Sequence, residues 1–258
     1  MVKKGDMKLV AIINSWADTK ELLPFCVENI RPVVDKVIVV YSENSNHFNF
    51  NDGITELVFG KLPCQWVQFE PEVGRSPHDN ETRKRNYGLE IAKMQGFTHF
   101  LLMDSDEFYN QEDVTKEKER IEQRNLNGLV CRLKTYVSKP TLWCEDHTLV
   151  PFIQKLNRLT MVGNFKNYPF NLDSEGHVHI DPTRRINYTS GVEMSDVYMH
   201  HYSYVRKDFE LKINNSSANL RRSRDVIYED LREAKPGYKS KLYHRELQEC
   251  PNYFNIQL

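Results

Sequence analysis

The apolar run Thr98-His99-Phe100-Leu101-Leu102 ends at once in Met103-Asp104-Ser105-Asp106-Glu107-Phe108, and no other junction restricts the fold open to this chain as tightly. A short apolar run bounded by polar residues reads as a buried strand. In an extended chain residues i and i+2 project to the same side, so Asp104 and Asp106 are expected to converge at the strand end. Two convergent carboxylates in a low dielectric repel, and without a counter-charge one of them takes up a proton. A divalent cation removes the conflict. Oxygen donors favour Mg²⁺ or Mn²⁺ over zinc, and two carboxylates leave positions open for water or the oxygens of a diphosphate.

The chain around this junction has an α-then-β rhythm. Residues 8–13 and 36–41 are β-branched apolar runs, and between them Leu22, Leu23, Cys26, Val27 and Ile30 fall at helical spacing, with Pro24 near the helix start. Residues 64–69 form a third strand candidate. Tyr87, Ile91 and Met94 share a helical face that Gly96 stops before the strand at 98–103. Residues 114–124 alternate basic and acidic side chains as a solvated helix does, and residues 128–133 read as another strand. From 140 to 181 the pattern loosens into aromatic-rich loops, and a last strand is expected over 197–204 before a polar, helix-prone tail.

This rhythm predicts an α/β fold with a mostly parallel central sheet flanked by helices. Residues 1–215 form the main domain, and 216–258 a helical C-terminal extension packed on it. The loop at 14–19, the junction at 42–44 and the acidic pair then share the carboxyl edge of the sheet, where open α/β sheets bind ligands. Arg83, Lys84 and Arg85 near a helix start oppose the helix dipole and make more sense facing an anion.

Lys and Arg number 35 against 36 Asp and Glu, so no global charge drives the chain toward nucleic acid or membrane. The five cysteines are scattered without C-x-x-C spacing, which argues against a zinc ribbon or a disulfide framework. The apolar run near the N-terminus is too short for a signal segment or a membrane span, so a cytoplasmic protein is expected.

Four segments together resemble the GT-A fold glycosyltransferases over roughly residues 8–215. They are Ala11-Ile12-Ile13-Asn14-Ser15-Trp16, Val37-Ile38-Val39-Val40-Tyr41-Ser42-Glu43, Arg83-Lys84-Arg85-Asn86-Tyr87-Gly88 and Leu102-Met103-Asp104-Ser105-Asp106-Glu107-Phe108. The resemblance implies a D-x-D enzyme that moves a hexosyl or pentosyl group from a nucleotide diphosphate donor, expected to be UDP-linked, to an acceptor hydroxyl. It places Asn14, Trp16, Glu43, Arg85, Asn86, Asp104 and Ser105 around the donor. Arg206, Lys207 and Lys212 would then lie on its diphosphate. Mn²⁺ or Mg²⁺ would be held by Asp104, Asp106 and a late histidine, where strand alternation allows only one of His200 and His201 to face the site; His201 is the expected one.

An inverting reaction would need a carboxylate base, for which Asp146, Asp173 and Glu175 are the candidates. Small proteins of this kind occur in viruses and bacteriophages, which would put this one in a host cytoplasm. Arg184-Arg185, Arg206-Lys207 and Arg221-Arg222-Arg224, with Tyr188, Tyr202 and Tyr204 among them, are read as a grip for hydroxymethylcytosine in DNA. A saccharide, lipid-linked or protein acceptor is the alternative. A dehalogenase-type phosphatase ranks lower because Phe108 stands where Thr or Val is expected, and a nucleotidyltransferase because the first loop lacks a Gly-rich phosphate cradle. A non-catalytic sugar- or nucleotide-binding module is the reading outside enzymes.

Overall fold

Residues 7–16, 20–50, 60–170, 180–215 and 224–258 are described by a computed structural model of the chain. The first half follows the expected rhythm: β1 (Leu9–Ser15), α1 (Leu23–Ile30), β2 (Lys36–Tyr41), β3 (Gln65–Gln68), α2 (Pro77–Met94) and β4 (His99–Asp104). These four strands pair in parallel in the order β3-β2-β1-β4. β1 is apolar on both faces because both are covered. Leu9, Ala11 and Ile13 face a core that includes Cys26 and Val27 of α1, while Val10 and Ile12 face Leu89 and Ala92 of α2.

Ser76 caps α2 by accepting the Asp79 backbone N–H at 3.1 Å, and Pro77 opens the first turn. Gly88 lets the helix lie close on the sheet: a Cβ there would stand 2.5 Å from Cγ2 of Ile12 and 3.0 Å from Cγ2 of Val40.

The second half departs from the expectation in detail while keeping the α/β class. After β5 (Glu107–Phe108) and α3 (Gln111–Arg124) come β6 (Gly128–Val137), β7 (Leu142–Lys155) and β8 (Val192–Tyr204). β7 occupies a region expected as loop. It pairs antiparallel with both β4 and β6, and Pro151 sits in it next to a register shift, where the ladder tolerates a missing N–H. β6 and β8 are parallel, so the sheet is parallel at one end and mixed at the other.

β5 follows β4 after only Ser105 and Asp106, yet it pairs antiparallel with β8 at the opposite end of the strand order. The β4-β7-β6-β8 part of the sheet must therefore curl so that β8, with β5 paired to it, returns to the end of β4. Beyond β8 come α4 (Phe209–Asn215), α5 (Arg224–Glu233) and a turn-rich stretch whose β9 (Gln248–Glu249) pairs with β7. Ile227, Tyr243 and Leu247 of this stretch pack on Val137, Leu142 and Tyr204, so it shares the main body's core. Among the described residues no helix is long and apolar enough to cross a membrane.

Candidate functional site

The parallel register sets Asn14 of β1 directly beside Asp104 of β4, and the antiparallel β5–β8 pair sets Glu107 opposite His201. The Tyr202 backbone N–H donates to the Asp106 carbonyl at 2.8 Å, which fixes the acidic turn on β8. Asp104 ends its strand, and Ser105 and Asp106 form a turn. The two carboxylates thus meet through a turn rather than through the extended alternation expected of them.

A cleft of about 300 Å³ opens at this carboxyl edge. Of the residues proposed from sequence, Asn14, Trp16, Asp104, Ser105, Asp106, Asp146, His201 and Lys212 line it. Arg85 and Arg206 lie buried behind it, one on Asp104 and the other on Asp106.

Three donor candidates are placed elsewhere. Asn86 gives its amide to the backbone of Val162, donating to the carbonyl at 2.8 Å and accepting the N–H at 2.9 Å. Glu43 is half-buried just past β2 and is not part of the lining. Lys207 is exposed, with its backbone N–H donating to Glu21 at 2.8 Å. Asp173 and Glu175, like Arg221 and Arg222, lie outside the described residues.

The acidic turn carries its own counter-ions. Both oxygens of Asp104 accept from Arg85, at 3.1 and 3.2 Å, and one also accepts from Arg184. Burial pushes the Asp104 carboxyl up, but Arg184 and Arg85 outweigh it and hold the group below its ordinary value. Burial likewise opposes ionisation of Asp106, and Lys212, Arg206 and His201 overcome it, keeping that group well below the usual carboxylate range.

Glu107 was not singled out from sequence. It is buried at 1% exposure, takes the Arg184 guanidinium and accepts the Asp104 backbone N–H at 3.0 Å. Burial, only partly offset by Arg184, pushes its carboxyl up to about 7. Strict alternation would have turned Glu107 away from Asp106; the turn at 105–106 is what brings it in.

His201 and His200 separate as alternation requires. His200 is packed among Tyr136, Tyr253 and Phe254, with Nδ1 at 2.7 Å from the Tyr136 hydroxyl. His201 lines the cleft with Nε2 at 3.7 Å from Oδ1 of Asp106. Burial holds its imidazole below the ordinary value against the pull of Asp106, and so in the neutral, ligating form at neutral pH.

That 3.7 Å gap is too long for a hydrogen bond and within the span of two bonds of about 2.1 Å to one ion. Oδ1 of Asp106 and Nε2 of His201 therefore fit a divalent cation that completes its shell with water and ligand oxygens. Asp104, the other expected ligand, has guanidiniums on both its oxygens in this structure. Among the described residues no three His, Cys, Asp or Glu side chains gather closely enough to hold a metal by themselves.

Two further carboxylates face the cleft in fixed orientation. Oδ1 of Asp146 accepts the Thr148 N–H at 2.9 Å and hydroxyl at 2.8 Å; Oδ1 of Asp181 accepts the same pair from Thr183 at 2.7 and 2.8 Å. With Glu81, Asp104, Asp106 and Glu107 they make six carboxylates in the lining. Lys84, Arg184 and Lys212 line it as cations, with Arg85 and Arg206 behind. The cleft holds no surplus of positive charge. Both amide atoms of Asn14 are buried at its floor without a hydrogen-bond partner among the described residues, as expected of a group that a ligand completes.

No family model matches the chain, and no curated protein matches it. Among solved structures it is similar to S. aureus TarS 1-349, at 17% identity over 76% of this chain and 61% of that one, with a TM-score of 0.46. The same TarS fragment in complex with UDP-GlcNAc aligns at 18% identity over 52% of this chain and 36% of that one, with a TM-score of 0.39. A CMP:2-keto-3-deoxy-manno-octonic acid synthetase complexed with CTP aligns at 12% identity over 58% of this chain and 72% of that one, with a TM-score of 0.35. The chain thus spans about three fifths of the length of the TarS fragment.

Proposed function

We propose that the cleft binds a nucleotide diphosphate sugar, UDP-linked, together with Mn²⁺ or Mg²⁺, and transfers the glycosyl group to an acceptor hydroxyl. The observation that carries this reading is the meeting of Asp106, His201 and Lys212 at the carboxyl edge of the sheet, over the unsatisfied amide of Asn14. Asp106 and His201 would hold the ion, and the ion would supply Lewis-acid stabilisation to the departing diphosphate.

Charge balance supports the pairing of metal and diphosphate. The five fixed cations already face six carboxylates, so a diphosphate entering alone would meet no uncompensated positive charge, whereas one entering with a divalent ion is largely neutralised. Lys212, partly exposed and 3.4 Å from Asp106, is placed to turn toward a phosphate oxygen. Asn14 would give its amide to the nucleotide, and Trp16 would flank it. In an inverting reaction Asp146 would take the acceptor's proton, since Thr148 and Thr135 fix its carboxylate in the cleft.

The test is thermal. UDP at a hundredfold excess over its Kd should stabilise the protein by about 2.7 kcal/mol, and only when Mn²⁺ or Mg²⁺ is present. Asp106→Asn and His201→Ala should each remove the metal requirement along with most of the stabilisation. A UDP shift of the same size in EDTA would overturn the metal-dependent reading.

A further inference from the structure

We infer that the acceptor is a neutral carbohydrate, held by its hydroxyls and its apolar face against the β6–β8 wall of the cleft; the inference rests on the nucleotide-sugar reading above. This wall is built from Leu133, Val150 and Met199, with Tyr243 from the C-terminal stretch beside them and Asp146 and Thr148 among them. Apolar side chains and an aromatic ring complement the C–H face of a sugar, and a carboxylate held in fixed orientation accepts from its hydroxyls.

The same wall is poorly made for a polyanion. Binding a nucleic acid backbone requires cations free to neutralise phosphates, and Arg184, Arg185 and Arg206, at first read as part of such a grip, are engaged inside the fold, while Lys207 is exposed and Arg221 and Arg222 lie outside the described residues. Arg184 is buried on Asp104 and Glu107, and Arg206 on Asp106. Arg185 donates to the Ile180 carbonyl at 3.1 Å and to Asn164 at 3.2 Å. Two of the three tyrosines that would stack on an extruded base are engaged too. Tyr202 lies stacked on Tyr136, with ring centroids 4.1 Å apart, and the Tyr188 hydroxyl bonds to Thr160 at 2.9 Å. With six carboxylates against five engaged cations, the cleft offers a phosphodiester chain no positive field.

The experiment uses the full chain with UDP and Mn²⁺. Saturation-transfer NMR against a set of neutral methyl glycosides should give contacts from at least one of them. The affinity for that glycoside should fall about fivefold in Tyr243→Ala, the equivalent of about 1 kcal/mol, while the UDP-induced thermal shift persists. Thr148→Val, which removes the hydroxyl bond to Asp146 while leaving the backbone N–H and the Thr135 bond in place and opens no cavity, serves as the second variant and should weaken the glycoside in the same direction. A UDP shift with no contact from any glycoside would overturn the inference and leave the donor reading standing. Salt-sensitive retention of a hydroxymethylcytosine duplex, with labelled sugar transferred to it, would replace the carbohydrate by DNA. No UDP shift at all would take down both readings together.

Discussion

Arg184 gathers Asp104 and Glu107 on one guanidinium, and Arg85 closes on Asp104 from α2. Arg206 and Lys212 do the same for Asp106, so each carboxylate of the turn has a cation in contact, which is how Asp104, Asp106 and Glu107 coexist within four positions. An unpaired charge there would cost several kcal/mol. His200 follows the opposite rule, being stabilised by staying neutral. Burial, with Lys134 adding to it, pushes its imidazole down to about 3, against an ordinary value near 6.5. Above about pH 6.5 the folded and unfolded chains both leave this group neutral. As pH falls from there toward 3 the unfolded chain takes up a proton that the folded one refuses, so stability drains away over that window. His200→Gln should therefore flatten the acid limb of a plot of Tm against pH while lowering Tm at pH 7, where the contact with Tyr136 is weakened. An acid limb as steep in the variant as in the wild type would assign the loss to other groups.

At the scale of elements, α2 lies close on the sheet where Gly88 meets it. A methyl group there gains helix propensity of up to about 1 kcal/mol, but it would stand 2.5 Å from Cγ2 of Ile12, on a strand that cannot retreat between two covered faces. Overpacking of that order costs about 1–3 kcal/mol. Gly88→Ala should accordingly lower the urea midpoint with the slope unchanged; a raised midpoint would show that the close approach is easily relaxed. α2 was legible in the sequence, as were β1, β2 and β4, because helical periodicity or an unbroken apolar run marks each. β7 was not: Pro151 and the polar stretch from Glu145 to Thr148 break its alternation, and only pairing with β4 and β6 on its two sides makes it a strand. β5 is two residues long and exists through its partner on β8. The acidic pair and His201 could be read from the sequence as lining one cleft, whereas Glu107 was not singled out and Arg184 was read as a phosphate contact, not as the buried partner of Asp104 and Glu107. Their roles depend on a turn and a long-range ion pair that no local spacing encodes.

At the scale of the whole molecule, the curl of the sheet is what assembles the cleft. β4 and β5 are joined by two residues yet stand apart in the strand order, so closing the sheet carries β8, and with it His201, onto Asp106. The chain then runs on from β8 into α4, which brings Lys212 to 3.4 Å from the same carboxylate. Donor binding should therefore be felt at two places distant in sequence and adjacent in space. Hydrogen exchange with UDP and Mn²⁺ should slow in residues 104–108 and 209–215 together, and stay unchanged in α3, whose described side chains do not line the cleft. On the proposed reading, in which Asp106 and His201 hold an ion, His201→Ala should abolish the slowing at both segments at once. Protection confined to one segment, or spread evenly over α3 as well, would mean that the nucleotide acts through the sheet as a whole and not through the junction that the curl creates.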